Sequence, residues 1–206
     1  MPPARGTAAA ATTVLWLAAA VPVAYVPGTL DRFTLPKLLV ATLAVLVATA
    51  VSGAGVLPRA VVRTVAAGTL VLLLAAATSA APWASLVGRY PRYEGLLALP
   101  VYVGLAWAGA RLLGPDAPAE RRHTLVATLA TSSLLLGAVS ALEAMGLRPL
   151  GGDVDRPGAL LGNATDQGLV GAAMLTVLVA AGMAPGARLA RAGALAAGVT
   201  VGAAGS

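Results

Sequence analysis

Charged residues are scarce in this sequence, and several side chains that carry chemistry are missing or nearly so. They make up 11% of the chain, against about 25% in soluble domains. The absence of cysteine excludes a disulfide framework, a thiolate nucleophile and a cysteine metal site. With one histidine, His123, a multi-histidine metal centre is excluded as well. We expect neither a metal nor a cofactor.

Apolar residues dominate what is present. The hydrophobic fraction is 58% and the mean hydropathy is +0.85, which is typical of an integral membrane protein. A span takes about 20 residues, so 206 residues hold roughly six or seven spans with their loops. The predicted fold class is all-α, a polytopic transmembrane helical bundle in which residues 1–206 form a single membrane domain.

Seven apolar runs separated by polar links are the predicted spans: 7–26, 37–57, 64–81, 96–113, 123–145, 169–184 and 192–206. The first run follows Arg5 and also fits a signal peptide, but its length favours an uncleaved helix. Pro22 and Pro100 are expected to kink their spans. The last run is too short to cross, so we expect a truncated chain, the N-terminal part of a longer protein.

Small residues recur at helical spacing within these runs. Gly168 with Ala172, and Gly104 with Ala108, have the small-xxx-small pattern that allows close packing of membrane helices. Because alanine and glycine are so common here, chance also produces such pairs.

The positive charges predict an orientation. The net charge is +6, but the cations occur singly or in pairs, which is typical of membrane topology and not of a nucleic-acid surface. A cytoplasmic N-terminus puts eight cations in inner loops: Arg5, Arg59, Arg63, Arg111, Arg121, Arg122, Arg188 and Arg191. It puts six in outer loops: Arg32, Lys37, Arg89, Arg92, Arg148 and Arg156. We therefore expect segments 88–95 and 146–168 together on the outer face.

Segment 88–95 carries the first candidate site. Arg89 and Arg92 lie three residues apart, and their planar guanidinium groups can converge on one phosphate or carboxylate. Tyr90 and Tyr93 would lie beside the anion, and Glu94 is placed to pair with either arginine. The alternative is that these are interfacial anchors, with arginines reaching toward the head groups and an aromatic belt.

Segment 146–168 carries the second candidate site. Asn163 or Thr165 is expected to cap the sixth helix, with Asp166 in its first turn and Arg156 offsetting that carboxylate. A helix N-terminus favours an anion, although a capped helix without a ligand fits the pattern equally well.

Two further ionisable residues, Glu143 and His123, are considered as candidate sites. Glu143 lies near the outer end of the fifth span, where an ionisable group is often functional, unless it is shallow enough to be hydrated. His123 is expected to be a solvated loop residue at the inner end of its helix.

Three motifs together resemble the N-terminal half of the O-antigen ligase and O-antigen polymerase-like family. They are Asp31-Arg32-Phe33 with Pro36-Lys37, then Gly88-Arg-Tyr-Pro-Arg-Tyr-Glu-Gly-Leu96, and then Arg156-Pro-Gly with Gly162-Asn163. The resemblance implies a bacterial plasma-membrane glycosyltransferase that takes an undecaprenyl-diphosphate-linked glycan as donor at the outer face and needs no metal or nucleotide.

The resemblance also implies roles for residues. Arg92, Arg89 and Arg156 would bind the diphosphate, with Asn163 in support. The family's proposed base is a histidine in a large later outer loop, which this sequence lacks, so no catalytic residue is assigned and we expect the chain alone to be inactive. The rival interpretations are a small transporter or channel subunit and a non-catalytic membrane scaffold.

Overall fold

A computed structural model describes residues 5–28, 31–52, 57–89, 94–114, 116–150 and 158–205. Within these ranges the protein is all α-helical and contains no strand. The helices are α1 (Arg5–Ala20), α2 (Thr34–Ser52), α3 (Arg59–Ala77), α4 (Pro82–Val87), α5 (Leu99–Leu113), α6 (Ala119–Ala144), α7 (Ala164–Gly182) and α8 (Arg188–Ala204). Short 3₁₀ turns cover Val21–Val23, Leu96–Ala98 and Ala159–Leu161.

Five of the described helices are long and apolar enough to cross a membrane: Thr34–Val51, Arg59–Ala77, Leu96–Leu113, Ala119–Ala144 and Ala164–Gly182. A shorter apolar helix covers Ala8–Val23, and α8 has 17 residues. The predicted fold class, a polytopic helical membrane bundle, is confirmed.

Prolines mark helix ends and do not kink spans, contrary to the predictions for Pro22 and Pro100. Pro22 lies in the 3₁₀ turn that follows α1. Pro100 lies in the first turn of α5, where a missing N–H breaks no hydrogen bond. Pro58 and Pro118 occupy the positions just before α3 and α6.

Six helices, α1, α2, α3, α6, α7 and α8, begin earlier than the apolar pattern predicts, and two of these starts bear on the candidate site. Helix α2 begins at Thr34, so Lys37 lies inside its first turn and is not a loop cation. Helix α7 begins at Ala164, not near residue 169, because Asn163 caps it and its first turn is polar. In both cases polar residues join the helix because its N-terminal N–H groups need acceptors.

Helices α6, α7 and α8 pack closely through glycines. A Cβ at Gly137 would lie 2.7 Å from the carbonyl oxygen of Ala196, and one at Gly193 would lie 2.8 Å from Cα of Ala130. On α7, a Cβ at Gly171 would meet Val201 at 3.0 Å. Small residues therefore do bring these backbones together, although at other positions than Gly168 and Ala172, since a Cβ at Gly168 would find ordinary contact at 3.5 Å.

Helices α1, α2 and α5 form the other half of the bundle around Ala11, Val14, Ala48, Ala108 and Leu112. The Ser132 hydroxyl of α6 donates to the carbonyl of Ala19 at the end of α1 and so joins the halves.

Helix α3 lies apart from these two halves. Ala76 is its one buried residue, and seven of its large apolar side chains are exposed, among them Leu70 and Leu72 to Leu74. These side chains suit contact with lipid.

The alternation of the helices gathers the polar links at two ends of the bundle. One end, here called the cavity end, holds the described parts of the links after α1, α4 and α6, and the other, the far end, holds the described parts of the links after α2, α5 and α7. The described residues of both candidate segments, 88–95 and 146–168, thus belong to the same end.

The glycine packing gives a matched pair on α8. Gly193→Leu should destabilise the protein by about 1–3 kcal/mol, because the added side chain meets the α6 backbone. Gly198→Leu should leave stability nearly unchanged, since nothing lies within 4 Å of a Cβ there. Thermal unfolding of both variants in detergent measures the difference, and equal melting temperatures would contradict the packing.

Candidate functional site

A cavity of about 710 Å³ opens at the cavity end between α1, α2, α5 and α7. Its apolar lining comes from Ala18, Val21, Pro22, Leu38, Ala41, Leu105, Leu161, Leu169 and Val170. Its polar lining consists of Asp31, Lys37, Glu94, Tyr102, Asn163 and Asp166, together with Thr34. The polar groups come from all three links at this end, so the cavity joins the three motifs that the sequence keeps apart.

Asp31 forms the start of α2. Its Oδ1 accepts from the N–H groups of Phe33 at 3.0 Å and Thr34 at 2.8 Å, and its Oδ2 accepts from Leu35 at 3.2 Å. A carboxylate in this position satisfies the unpaired donors and favours the positive end of the helix. Asp31 is buried, so it is a structural cap within the cavity wall.

Lys37, the one lysine of the chain, is held by three backbone carbonyls. Its Nζ donates to Ala24 at 3.1 Å, to Phe33 at 3.0 Å and to Leu160 at 2.6 Å. These three bonds use every N–H of the ammonium group. Lys37 therefore ties the link after α1 to the segment before α7 and has no donor left for a phosphate.

Aromatic contacts strengthen the same connection. The ring of Phe33 lies 5.4 Å from that of Tyr25, and Lys37 Nζ lies 5.4 Å from the Phe33 centroid, within cation–π range. Gly162 has φ +82°, and a Cβ there would lie 2.7 Å from the Phe33 ring, so glycine is required both by conformation and by space. The Tyr25 hydroxyl donates to the carbonyl of Leu150 at 3.1 Å.

Glu143 holds the turn that precedes α7. Its Oε2 accepts from the N–H groups of Gly158 at 3.0 Å and Ala159 at 2.7 Å. The residue is 8% exposed, so of the two predictions for Glu143, the hydrated one is wrong. Ala159 has φ +41°, an unfavourable conformation for a residue with a Cβ, and the hydrogen bond from its N–H to Glu143 helps to stabilise it.

Asn163 caps α7, as predicted. Its Oδ1 accepts from the Asp166 N–H at 2.8 Å, and its Nδ2 donates to Oδ2 of Asp166. The two side chains form a closed pair at the cavity wall. Their reciprocal bonds leave the carboxylate of Asp166 less exposed to an approaching anion.

Gly95 lies against the end of α4. A Cβ at Gly95 would overlap the carbonyl of Leu86, so only glycine fits there. Glu94 then lines the cavity, where Oε1 accepts from the Tyr102 hydroxyl at 2.9 Å. Arg89 follows the end of α4 and is exposed.

The structure describes two of the four predicted site residues, Arg89 and Asn163. Asn163 lines the cavity, whereas Arg89 is not among the described residues that do. Arg92 and Arg156 lie outside the described residues, but each belongs to a link that ends at the cavity: Glu94 and Gly162 both line it.

His123 lies in the first part of α6, at the far end. Twenty residues separate it from Glu143, or about 30 Å along a helix. It is therefore remote from the cavity. His123 is exposed, as predicted, but it belongs to a helix and not to a loop.

Sequence reasoning missed three side chains of this region. Lys37 was predicted to be a loop cation. Its position as a lone lysine just after Pro36, at the start of an apolar run, could have indicated a structural role. Tyr102 gave none, because tyrosine is common near membrane interfaces. Gln167 is fully buried, and its Nε2 donates to Ser140 Oγ and the Thr200 carbonyl, both at 3.2 Å.

The charges of the cavity lining limit what it can bind. Three carboxylates, Asp31, Glu94 and Asp166, face one ammonium group, that of Lys37, so the cavity floor is unfavourable for an anion. The described residues contain no cluster of three ligands that would hold a metal ion. An apolar group would suit the apolar part of the lining.

Comparison of the chain with protein-family models, curated proteins and solved structures found no match. The relation to the O-antigen ligase-like family therefore stays a prediction that rests on the three motifs.

The Asn163 cap makes a testable contribution to stability. Asn163→Ala should lower the free energy of unfolding by about 1 kcal/mol, because the Asp166 N–H loses its acceptor. Asn163→Ser should recover most of this loss, and Thr165→Ala, an exposed neighbour in the same turn, should have little effect. Thermal unfolding in detergent distinguishes them; equal effects of Asn163→Ala and Thr165→Ala would refute the cap's role.

Proposed function

We propose that this chain is the donor-binding membrane part of a bacterial O-antigen ligase-like glycosyltransferase. In this proposal it binds the diphosphate of an undecaprenyl-diphosphate-linked glycan, which the complete enzyme transfers to an acceptor. The observation that carries the proposal is the cavity whose described lining includes Glu94 of segment 88–95 together with Leu161, Gly162 and Asn163. Arg89 and Arg92 belong to the same segment as Glu94, and Arg156 precedes the turn before α7; the family resemblance associates these three cations with the diphosphate.

The division of charge supports a specific pose. Lys37 is occupied by three carbonyls and the described lining is rich in carboxylates, so in this proposal arginines of the adjoining links, and not the described lining, bind the diphosphate. Guanidinium groups bind phosphate oxygens in a bidentate manner. The apolar wall, with Leu105, Leu169 and Val170, would take the first isoprene units.

The charge distribution also supports a cytoplasmic N-terminus in the plasma membrane. The cavity-end links and the helix start beside them carry six cations: Arg32, Lys37, Arg89, Arg92, Arg148 and Arg156. The far end and the N-terminus carry eight. Under the positive-inside rule this asymmetry favours a cavity end outside the cell, where a lipid-linked glycan would be transferred.

The proposal assigns this chain donor binding and not the proton transfer. The remote His123 cannot serve as the base at the cavity, and the described carboxylates there are engaged with backbone N–H groups, with Asn163 or with Tyr102. The base of the complete enzyme would come from elsewhere.

Binding of farnesyl diphosphate to the chain in nanodiscs tests the proposed site. Arg92→Ala and Arg156→Ala should each weaken binding about 10- to 100-fold, since each removes charge-assisted hydrogen bonds to phosphate. Arg63→Ala removes an exposed arginine at the far end and should leave the affinity unchanged. Isothermal titration calorimetry measures all three, with farnesol as the ligand that lacks the diphosphate.

Two results would contradict the proposal. Equal affinity for farnesol and farnesyl diphosphate would remove diphosphate recognition. Equal losses from Arg63→Ala and Arg92→Ala would indicate non-specific attraction to charge.

Topology has a separate test, because the chain contains no cysteine. A membrane-impermeant maleimide added to intact bacteria should label Arg89→Cys and leave Arg63→Cys unlabelled, since the two positions lie at opposite ends. Lysis should make both reactive. The reverse pattern would show that the cavity end faces the cytoplasm.

A further inference from the structure

The turn at residues 158–160 is held by hydrogen bonds to two ionisable side chains, the buried Glu143 and the half-buried Lys37, a pair of contacts that we call the grip. On one side, the Glu143 carboxylate accepts from the N–H groups of Gly158 and Ala159. On the other, the Lys37 ammonium donates to the carbonyl of Leu160 at 2.6 Å. The two residues come from different helices, α6 and α2, and are 106 positions apart in the sequence.

This grip replaces the hydrogen bonds that regular helix would provide. Ala159 and Leu160 are buried, and backbone groups buried in a membrane protein need partners within it. The turn also contains the positive φ of Ala159 and leads into Gly162, with φ +82°. An unfavourable backbone conformation of this kind persists where its surroundings fix it, and it often occurs at functional sites.

The turn adjoins three residues that line the cavity. Leu161 and Gly162 follow it directly, and Asn163, the cap of α7, comes three residues after Leu160. A shift of the turn would therefore move part of the cavity wall. The geometry of that wall thus depends on the two gripping side chains.

We propose that Lys37 and Glu143 are positioning residues, which jointly fix the turn at 158–160 and thereby set the cavity wall for its ligand. Neither would touch the ligand's phosphates: Lys37 has used its donors, and Glu143 is bound to the turn. This inference rests on the proposed function for the identity of the ligand, whereas the grip itself rests on the hydrogen bonds alone.

The variants are chosen to separate the grip from general stability. Lys37→Met removes the ammonium group and keeps an unbranched chain, and Leu39→Met is its control at an exposed position of the same helix. Glu143→Ala removes the acceptor, whereas Glu143→Gln keeps an oxygen that can accept both N–H groups. Ser133→Ala breaks a buried bond from α6 to the Gly193 carbonyl, 2.7 Å long, away from the cavity, and controls for a merely structural loss.

Hydrogen–deuterium exchange of the peptide covering residues 158–163 measures the grip in the full chain. Lys37→Met and Glu143→Ala should raise its exchange rate by about tenfold or more, since each removes hydrogen bonds to a charged group. Glu143→Gln, Leu39→Met and Ser133→Ala should leave it close to that of the unmodified protein. An unchanged exchange rate in Glu143→Ala would overturn the grip. If Lys37→Met does not fold, the comparison of Glu143→Ala with Glu143→Gln decides the question alone.

Titration of the same proteins with farnesyl diphosphate tests the positioning role. The two gripping variants should bind roughly tenfold more weakly, and Glu143→Gln should bind normally. Faster exchange with unchanged affinity, or an equal loss in Ser133→Ala, would reduce Lys37 and Glu143 to structural residues. If the unmodified protein does not bind farnesyl diphosphate, the proposed function is wrong and the positioning role falls with it, while the exchange result still decides the grip.

Discussion

A buried turn in a membrane protein must find its hydrogen-bond partners within the protein, because the bilayer core contains no water to supply them. The turn at 158–160 finds them in Glu143 and Lys37. The placement of the turn depends on side chains from two helices, α2 and α6. The positions of Asn163, of the start of α7 and of the cavity wall depend in turn on that placement. The same lysine fixes the ends of the link after α1 through Ala24 and Phe33.

Close packing of helices is the second constraint, and it sets the frame on which the cavity end is built. Gly137, Gly171 and Gly193 let α6, α7 and α8 approach to backbone contact, which compensates for the weak hydrophobic drive between helices in lipid. The α1–α2–α5 half has a core of its own, and the cavity lies where α1, α2 and α5 face α7. Mixed lining at such a junction is typical of small-molecule sites.

The sequence predicted the helical bundle well, because apolar runs of span length have few alternatives. It also identified Asn163 as a cap, since asparagine before a helix with an acidic residue three positions later is a local pattern. It failed where contacts were distant. Lys37 bonds to a carbonyl 123 residues away, and nothing local to either position shows it. The helix starts at Thr34 and Ala164 were missed because polar first turns interrupt the apolar pattern by which spans were delimited.

The proposed binding of an isoprenoid diphosphate beside the cavity that Glu94 and residues 161–163 line has a direct test. This test is photocrosslinking with an undecaprenyl diphosphate analogue that carries a diazirine next to the diphosphate, followed by peptide mapping. We expect crosslinks in segments 88–95 and 158–163 and their loss on competition with unlabelled undecaprenyl diphosphate. Crosslinks confined to the exposed face of α3 or to the far-end links, unaffected by the competitor, would contradict the proposed binding.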